Sequence, residues 1–339
     1  MLGDRRKISL IAVVSAVVLL FSGSLGLAKD WKPDRPVTIV MWAPAGGAGD
    51  LSVRAMAASW QEQFGVGVSV VNMPGGSGGI AANYVWNKPR DGYTILGMSE
   101  AVHGIAVLGA FHKTVDAFEC MPIIGSPGVI SVGPKSPYQT FEQLIDAAKQ
   151  KTLTAASSFA GCVWALKLIE VQDATGVKFK RLPYEGSPPS QIAAMSGEVD
   201  CVLTAVAEQH DYLRAGKLKP LAIIEREGVD IKGVGYVSSI SKWYPKFKEL
   251  PIIPQWVGLG LFVDTPEEVK QAYRNAYEIG LKTEKVQALS KLGFKIGHDI
   301  FAPNNIKSLQ KSFDSVFSWT LYENGIAKHS PDQFGIPKP

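Results

Sequence analysis

Gly46, Gly47 and Gly49 crowd into four consecutive positions, and the loop they make ends on Asp50. The stretch MWAPAGGAGD (41–50) lies between an apolar run and a helical pattern. A glycine loop in that place does one thing well. Without a Cβ the backbone approaches a ligand closely, and the helix that follows offers free N–H groups and a partial positive charge. Such a loop attracts an anion. Neither this loop nor PGGSGG (74–79) contains a lysine, so the nucleotide-phosphate pattern G-x-x-x-x-G-K-[ST] is missing. GGAGDL is a poor match to the dinucleotide fingerprint G-x-G-x-x-G, which disfavours nucleotide binding. No G-x-S-x-G follows a strand and no H-E-x-x-H occurs, so nothing demands catalysis. Asp50 and Arg54 are an acid-first i,i+4 pair, the spacing of a helix-stabilising contact in a first turn more than of an anion clamp. His103, His112, His210, His298 and His329 are scattered and no Cys-x-x-Cys is present, so neither a metal nor a cofactor is expected.

The elements that position these loops are legible from period and punctuation. PVTIVMW (36–42) is a short apolar, β-branched run, hence a buried strand. Beyond the loop, Val53, Met56, Ala57, Trp60 and Phe64 recur at helical spacing until Gly65 stops them. GVSVVNM, a second glycine loop with its helix, and YTILGMS repeat the alternation, which predicts an α/β chain with a parallel sheet. A second block repeats it: FEQLIDAAKQ (helix), TLTAAS (strand), CVWALKLIEVQDATG (helix), FKRLPYEG (strand), PPSQIAAMSGE (helix), VDCVLTAV (strand), EQHDYLRAGKL (helix) and KPLAII (strand). Residues 228–255 read as a long irregular connection. Helices are expected at about 266–283, 284–292 and 304–323, the first opened by Thr265, Pro266 and Glu268 as a capping box.

At 339 residues and 46% apolar content the chain can bury a large core. Its N-terminus is basic (MLGDRRK), then apolar, then small, with Gly26 and Ala28 at the −3 and −1 positions of a cleavage site. That is a secretory signal peptide over residues 1–28; the alternative, a retained anchor, has the length but not the small-residue ending in its favour. Cleavage removes three of the 35 basic and one of the 31 acidic residues, leaving a net charge of +2. A surface so near neutrality argues against nucleic acid as a partner. Cys120, Cys162 and Cys201 leave at least one thiol unpaired in an oxidising compartment; a Cys162–Cys201 bridge is compatible with the sequence, and buried free thiols are the simpler expectation.

Seven segments, RPVTIVMWAPAGGAGDLSVRAMA, VVNMPGGSGG, RDGYTILGMSEAVHG, GPKSPYQTFEQLIDAAK, PYEGSPPSQIAAMSGEVDCVLT, LRAGKLKPLAI and WVGLGLFVDTPEEV, occur in the order found in one family. In these the chain resembles the extracytoplasmic solute-binding receptors of tripartite tricarboxylate transporters, also called the Bug family, over essentially the whole mature length. The resemblance implies a type II periplasmic-binding-protein fold, two lobes with parallel-type central sheets and a ligand cleft between them. It also implies a set of ligand-binding positions. Ala45, Gly46, Gly47 and Asp50 match the family's first loop, with Ala48 between; Gly49 stands where members usually carry Thr or Ser, which removes a hydroxyl. Asn72, Pro74, Gly75 and Gly78 match the second loop, and Asp91 to Thr94 a structural turn. Ser99 and His103 follow the third strand, where members carry cleft-facing polar residues. In the other lobe, Ser157, Ser158 and Gly161 match a Ser/Gly-rich loop, Tyr184 and Gly186 a Pro-Tyr-x-Gly turn, and Asp200 the residue before the last cleft strand, which also carries Thr204. Trp42 and Trp164 stand beside the loops; stacking on a ligand and ordinary core packing are both open to them.

The expected organisation is lobe 1 over residues 29–128 and 225–339, with lobe 2 (129–224) inserted as one block. The resemblance implies a monomeric periplasmic receptor that closes on a small mono- or dicarboxylate and passes it to transporter membrane subunits. A ligand sensor for a signalling system and an exported α/β hydrolase are the alternatives; the latter needs a nucleophile–base pair that the sequence does not display.

Overall fold

The computed structural model describes residues 31–250, 253–300 and 306–339. The signal-peptide segment lies outside the described residues. The chain divides into residues 1–32 and one compact unit, 33–339, which carries everything described below.

Two sheets organise this unit. The first has the order β13-β4-β12-β3-β1-β2, from β1 (Val37–Met41), β2 (Val68–Asn72), β3 (Thr94–Ser99), β4 (Phe118–Gly125), β12 (Val257–Phe262) and β13 (Lys295–Ile296). The second has the order β7-β6-β8-β5-β9, from β5 (Gly128–Val132), β6 (Leu153–Ser157), β7 (Phe179–Pro183), β8 (Cys201–Ala205) and β9 (Lys219–Ile223). Each is mixed, with antiparallel strands beside the parallel ones that the alternation predicts. The crossover strands β2-β1-β3 and β7-β6-β8 pair in parallel, while β12 runs antiparallel between β3 and β4, and β5 between β8 and β9. The antiparallel strands are those that lead the chain between the sheets. It leaves the first through β4 into β5 and returns from β9 toward β12, so helix-strand alternation does not report them.

Helix α1 (Ala48–Phe64) begins at Gly47 in extended geometry and stops at Gly65, whose φ of 72° is left-handed and whose N–H closes on the Gln61 carbonyl. Its inner face is the expected one: Val53, Met56, Ala57, Trp60 and Phe64 are buried. Trp60 and Phe64 pack on Tyr273 of α7 (Glu267–Leu281), with ring centroids at 4.9 and 5.5 Å, contacts of about 0.5–1.5 kcal/mol each beyond simple burial. The remaining helices are α2 (Gly79–Trp86), α3 (Phe141–Gln150), α4 (Val163–Thr175), α5 (Ser187–Ser196), α6 (Val206–Arg214), α8 (Glu284–Gln287) and α9 (Ile306–Glu323). Among them α4 buries Val163, Leu166, Leu168, Ile169 and Val171, the apolar positions of its sequence pattern.

Two local expectations need correction. The segment 228–255 contains an antiparallel hairpin, β10 (Val229–Ile231) and β11 (Gly235–Val237), and two 3-10 turns. Helix α7 has no capping box at Thr265. Pro266 takes the cap position with ψ 141°, and the Thr265 N–H turns back to the Phe262 carbonyl.

Two segments join the sheets, and a buried ion pair ties them together. Lys167 of α4, fully buried, places Nζ 2.9 Å from Glu225 Oε1 and donates to the Ile224 carbonyl at 3.0 Å. The same Glu225 carboxylate accepts the Gly128 N–H at 3.2 Å, so the outgoing and returning strands meet at one carboxylate. Lys167 keeps its proton: burial works against the charge, but Glu225 and Glu170 outweigh it and the pKa is raised.

Candidate functional site

A cleft of about 340 Å³ opens between the carboxyl ends of the two sheets. This is where strand-to-helix loops converge in open α/β folds. From the first sheet come Trp42, Pro44, the loop at 47–49, the second glycine loop at 74–78, Ser99 and Glu100. From the second come Ser158, Trp164, Tyr184, Gly186, Ser187 and Glu208, and Gln255 and Val257 complete the wall at the start of β12. No lysine, arginine or histidine is among the described lining residues.

The first loop is shaped by Asp50 rather than opened by it. The Asp50 carboxylate accepts the Gly46 N–H at 3.1 Å, Arg54 Nε at 2.8 Å and Asn72 Nδ2 at 2.9 Å. Burial alone would raise its pKa; the hydrogen bonds from Arg54, Gly46 and Asn72 outweigh burial and hold it below the usual carboxylate range. Asn72 also donates to the Ala43 carbonyl at 3.0 Å, which ties the loop to β2. At Gly49 a Cβ would stand 2.4 Å from Met41 Cε. The Met41 side chain fills the space a side chain at this position would take. The Trp42 ring lies on Gly78, where a Cβ would come within 2.4 Å of it and where φ is +87°. Trp42 is 4% exposed and packed, and it is also among the residues that line the cleft.

On the opposite wall, Ser158 Oγ and Ser187 Oγ lie 2.8 Å apart. Gly186, at φ +109°, is held 3.0 Å (from a notional Cβ) to the Pro44 ring, a close approach between the two walls. The Tyr184 ring faces the cleft, but its hydroxyl donates to Glu198 Oε1 at 2.7 Å, which with burial raises its pKa to about 12.

Two acidic side chains, neither singled out by the sequence, complete the geometry. Glu100 directly follows β3, and its carboxylate accepts the N–H of Val163, first residue of α4, and the N–H of Trp256, both at 3.3 Å. Burial raises its pKa to about 7 against those hydrogen bonds, with Glu208 adding to the rise. Glu208 lies in the first turn of α6 and accepts the Ala205 N–H at 3.3 Å. Burial raises its pKa too, countered by hydrogen bonding from Ser187, Ala205 and the N–H of Ala48, first residue of α1. Glu100 therefore meets the N-terminus of a helix that belongs to the other sheet, and Glu208 lines the cleft beside the first residue of α1.

Several expected positions fall elsewhere. His103 is buried beneath α9, its Nδ1 3.7 Å from Asp314 Oδ1 and its ring beside Phe317. Asp200 accepts both the N–H and the hydroxyl of Thr154 at 2.7 Å and so joins β8 to β6. Thr204 accepts Gln191 and Gln209, each at 3.0 Å, inside the second half. Ser157 donates to the Ser158 carbonyl. Gly161 lies against Leu108, where a Cβ would meet Cδ1 at 2.3 Å. Ala45 is not on the wall, and Gly46 opens on a smaller adjoining cavity of about 140 Å³ that Glu208 also reaches. The positions brought together are Trp42, Gly47, Ala48, Gly49, Pro74, Gly75, Gly78, Ser99, Ser158, Trp164, Tyr184 and Gly186. Cys162 and Cys201 form no disulfide; both are buried thiols, and burial pushes the Cys162 pKa up to about 12.

This is the fold and cleft of a periplasmic solute-binding protein. A family model described as "Tripartite tricarboxylate transporter family receptor" matches residues 52–319, and the chain belongs to that family. A curated relative from Agrobacterium vitis, the UPF0065 protein in the TAR-I ttuE-ttuC' intergenic region, is 27% identical over 81% of this chain and 80% of its own. Among solved structures, R. palustris Rpa4515 with adipate is 24% identical, covers 88% of this chain and 99% of that one, and has a TM-score of 0.76. MatC (Rpa3494) from Rhodopseudomonas palustris with bound malate is 21% identical over 85% of this chain and 99% of that one, with a TM-score of 0.74. Among the described residues no helix is long and apolar enough to cross a membrane.

Proposed function

We propose that this chain is an exported, periplasmic receptor that captures a small organic acid in the cleft between its sheets and hands it to the membrane subunits of a tripartite transporter. The observation that carries this is the convergence, on one cleft, of two glycine loops and the facing hydroxyls of Ser158 and Ser187. Backbone N–H groups and hydroxyls of that kind bind a carboxylate without a dedicated cation. The adipate and malate held by the two structural neighbours fit the same ligand class.

The lobes are residues 29–128 with 225–339, and 129–224. They hinge where Gly128, Ile224 and Glu225 meet Lys167. The receptor acts as a monomer, and as a binding protein rather than an enzyme. Ser99, Ser158 and Ser187 line the cleft with no histidine or lysine among the described residues beside them, which supports binding over hydrolysis.

Thermal unfolding against a panel of mono- and dicarboxylates, with sugars and phosphate esters as controls, tests this. A bound acid at a hundred times its dissociation constant adds about 2.7 kcal/mol. A response confined to acids supports the reading; a response only to sugars or phosphate esters defeats it.

A further inference from the structure

Of the three acids among the described residues that line the cleft, Glu185 is exposed, and Glu100 and Glu208 are those for which carboxylate capture alone supplies no ligand role. They occupy equivalent places in the two halves, one after β3 in the order β2-β1-β3, the other after β8 in the order β7-β6-β8. Glu100 crosses to the first N–H of α4, at Val163, and Glu208 lines both the cleft and the smaller cavity beside Ala48, the first residue of α1. The N-terminus of α4 therefore already holds a carboxylate of the protein itself, and that of α1 has one beside it. No cation among the described lining residues offsets them.

What remains for a ligand carboxylate is the hydroxyl pair Ser158–Ser187 and the loop N–H groups. A second ligand carboxylate would have to lie beside Glu100 or Glu208, where like charges repel in a poorly solvated space. A donor group there meets the opposite situation. An ionised carboxylate accepts about four hydrogen bonds. Glu100 takes up two of its sites with the N–H groups of Val163 and Trp256, and capacity is left over for a ligand N–H or O–H.

We propose that Glu100 and Glu208 select an organic acid that carries a hydrogen-bond donor, an ammonium or hydroxyl group, apart from its carboxylate, and reject acids whose second polar group is another carboxylate. This rests on the carboxylate-receptor reading.

The test is calorimetric titration at pH 8, above the value of about 7 to which Glu100 is raised, of the protein refolded from denaturant to free it of carried-over ligand, with matched straight-chain acids of four, five and six carbons. At each length the far end is a carboxylate, an ammonium-bearing carbon or a hydroxyl-bearing carbon: succinate, 4-aminobutanoate and 4-hydroxybutanoate, and so on upward. At the best length the amino or hydroxy acid is expected to bind about tenfold or more tighter than the diacid, and the two arms show which donor is preferred. Glu208→Gln and Glu100→Gln keep the shape and remove the charge, and should shrink that ratio mainly by strengthening the diacid. A merely structural role would leave the ratio unmoved. Diacids binding as tightly as their donor-bearing partners at every length overturn the proposal, and that comparison needs only the unaltered protein. Silence from all three classes overturns the carboxylate reading itself and this selectivity with it.

Discussion

The carboxylate of Glu100 accepts the backbone N–H of Val163 at 3.3 Å, 63 positions later in the chain and on the other side of the cleft. Val163 begins α4, so an acid of one half stabilises the helix end of the other. Glu208 stands beside Ala48, the first residue of α1, on the wall of the same cleft. Contacts of a charge with a helix N-terminus are worth about 0.3–1 kcal/mol each at exposed sites and up to ~2 where partly buried.

Stability should fall as pH rises from about 4.5 to about 7. Glu100 and Glu170 both have pKa values raised to about 7, chiefly by burial, from an ordinary carboxylate value of 4.5. Between those values the folded chain holds protons that the unfolded chain releases, so the folded state is favoured at the acid end and loses that advantage as pH climbs. Asp173, Glu208 and Asp314 shift in the same direction. The lowered acids Asp50, Glu142 and Glu267 act only below this window. Melting temperatures at pH 5, 6, 7 and 8 should decline in order, and Glu170→Gln should flatten the decline; a rise across the series would refute the assignment.

Lys167→Ala should destabilise the fold by about 3–5 kcal/mol, because it strands the Glu225 carboxylate beside Gly128 and leaves the Ile224 carbonyl without its lysine. The pair Lys167→Met with Glu225→Leu should recover much of that loss. Urea midpoints of the three variants check the order, and a Lys167→Ala midpoint equal to the parent's would show that the ion pair does not hold the crossing segments.

Gly78→Ala should cost about 1–3 kcal/mol and weaken acid binding. The new methyl would stand 2.4 Å from the Trp42 ring at a φ of +87°, so the indole must leave the cleft wall. Unchanged unfolding and unchanged affinity together would rule out the stacked arrangement of Trp42 on Gly78.

Tyr184→Phe separates wall from hydroxyl. The hydroxyl is turned away to Glu198, so its loss should lower stability by about 0.5–1.5 kcal/mol while the affinity for an acid stays within about twofold. A large loss of affinity would mean that the hydroxyl swings into the cleft on binding.

The sequence makes the loops and helix faces legible because local rules determine them. Gly47, Gly65 and Gly78 punctuate, and the spacing of Val53, Met56 and Trp60 declares which side of α1 is buried. Side-chain direction at strand ends is a different matter. Thr204 and Asp200 lie on or beside the strand that feeds the cleft, yet Gln191, Gln209 and Thr154 draw them inward. His103 sits four residues after Ser99, and the 3-10 turn between them carries its ring under α9 instead of into the cleft. Glu208 was illegible for a related reason. An acid in a first helical turn reads as a cap for its own helix, which it is through Ala205, and its place on the cleft wall is set by the pairing of two halves.

An organic acid is expected to bind between Ser158 and the α1 loop. A crystal structure of the protein with the acid that gives the largest thermal shift tests this. A carboxylate should lie within hydrogen-bond reach of Ser158 Oγ or Ser187 Oγ, across the cleft from Trp42 and the loop at 47–49. An acid bound outside this cleft, with Ser158 and Ser187 still facing only each other, would contradict it.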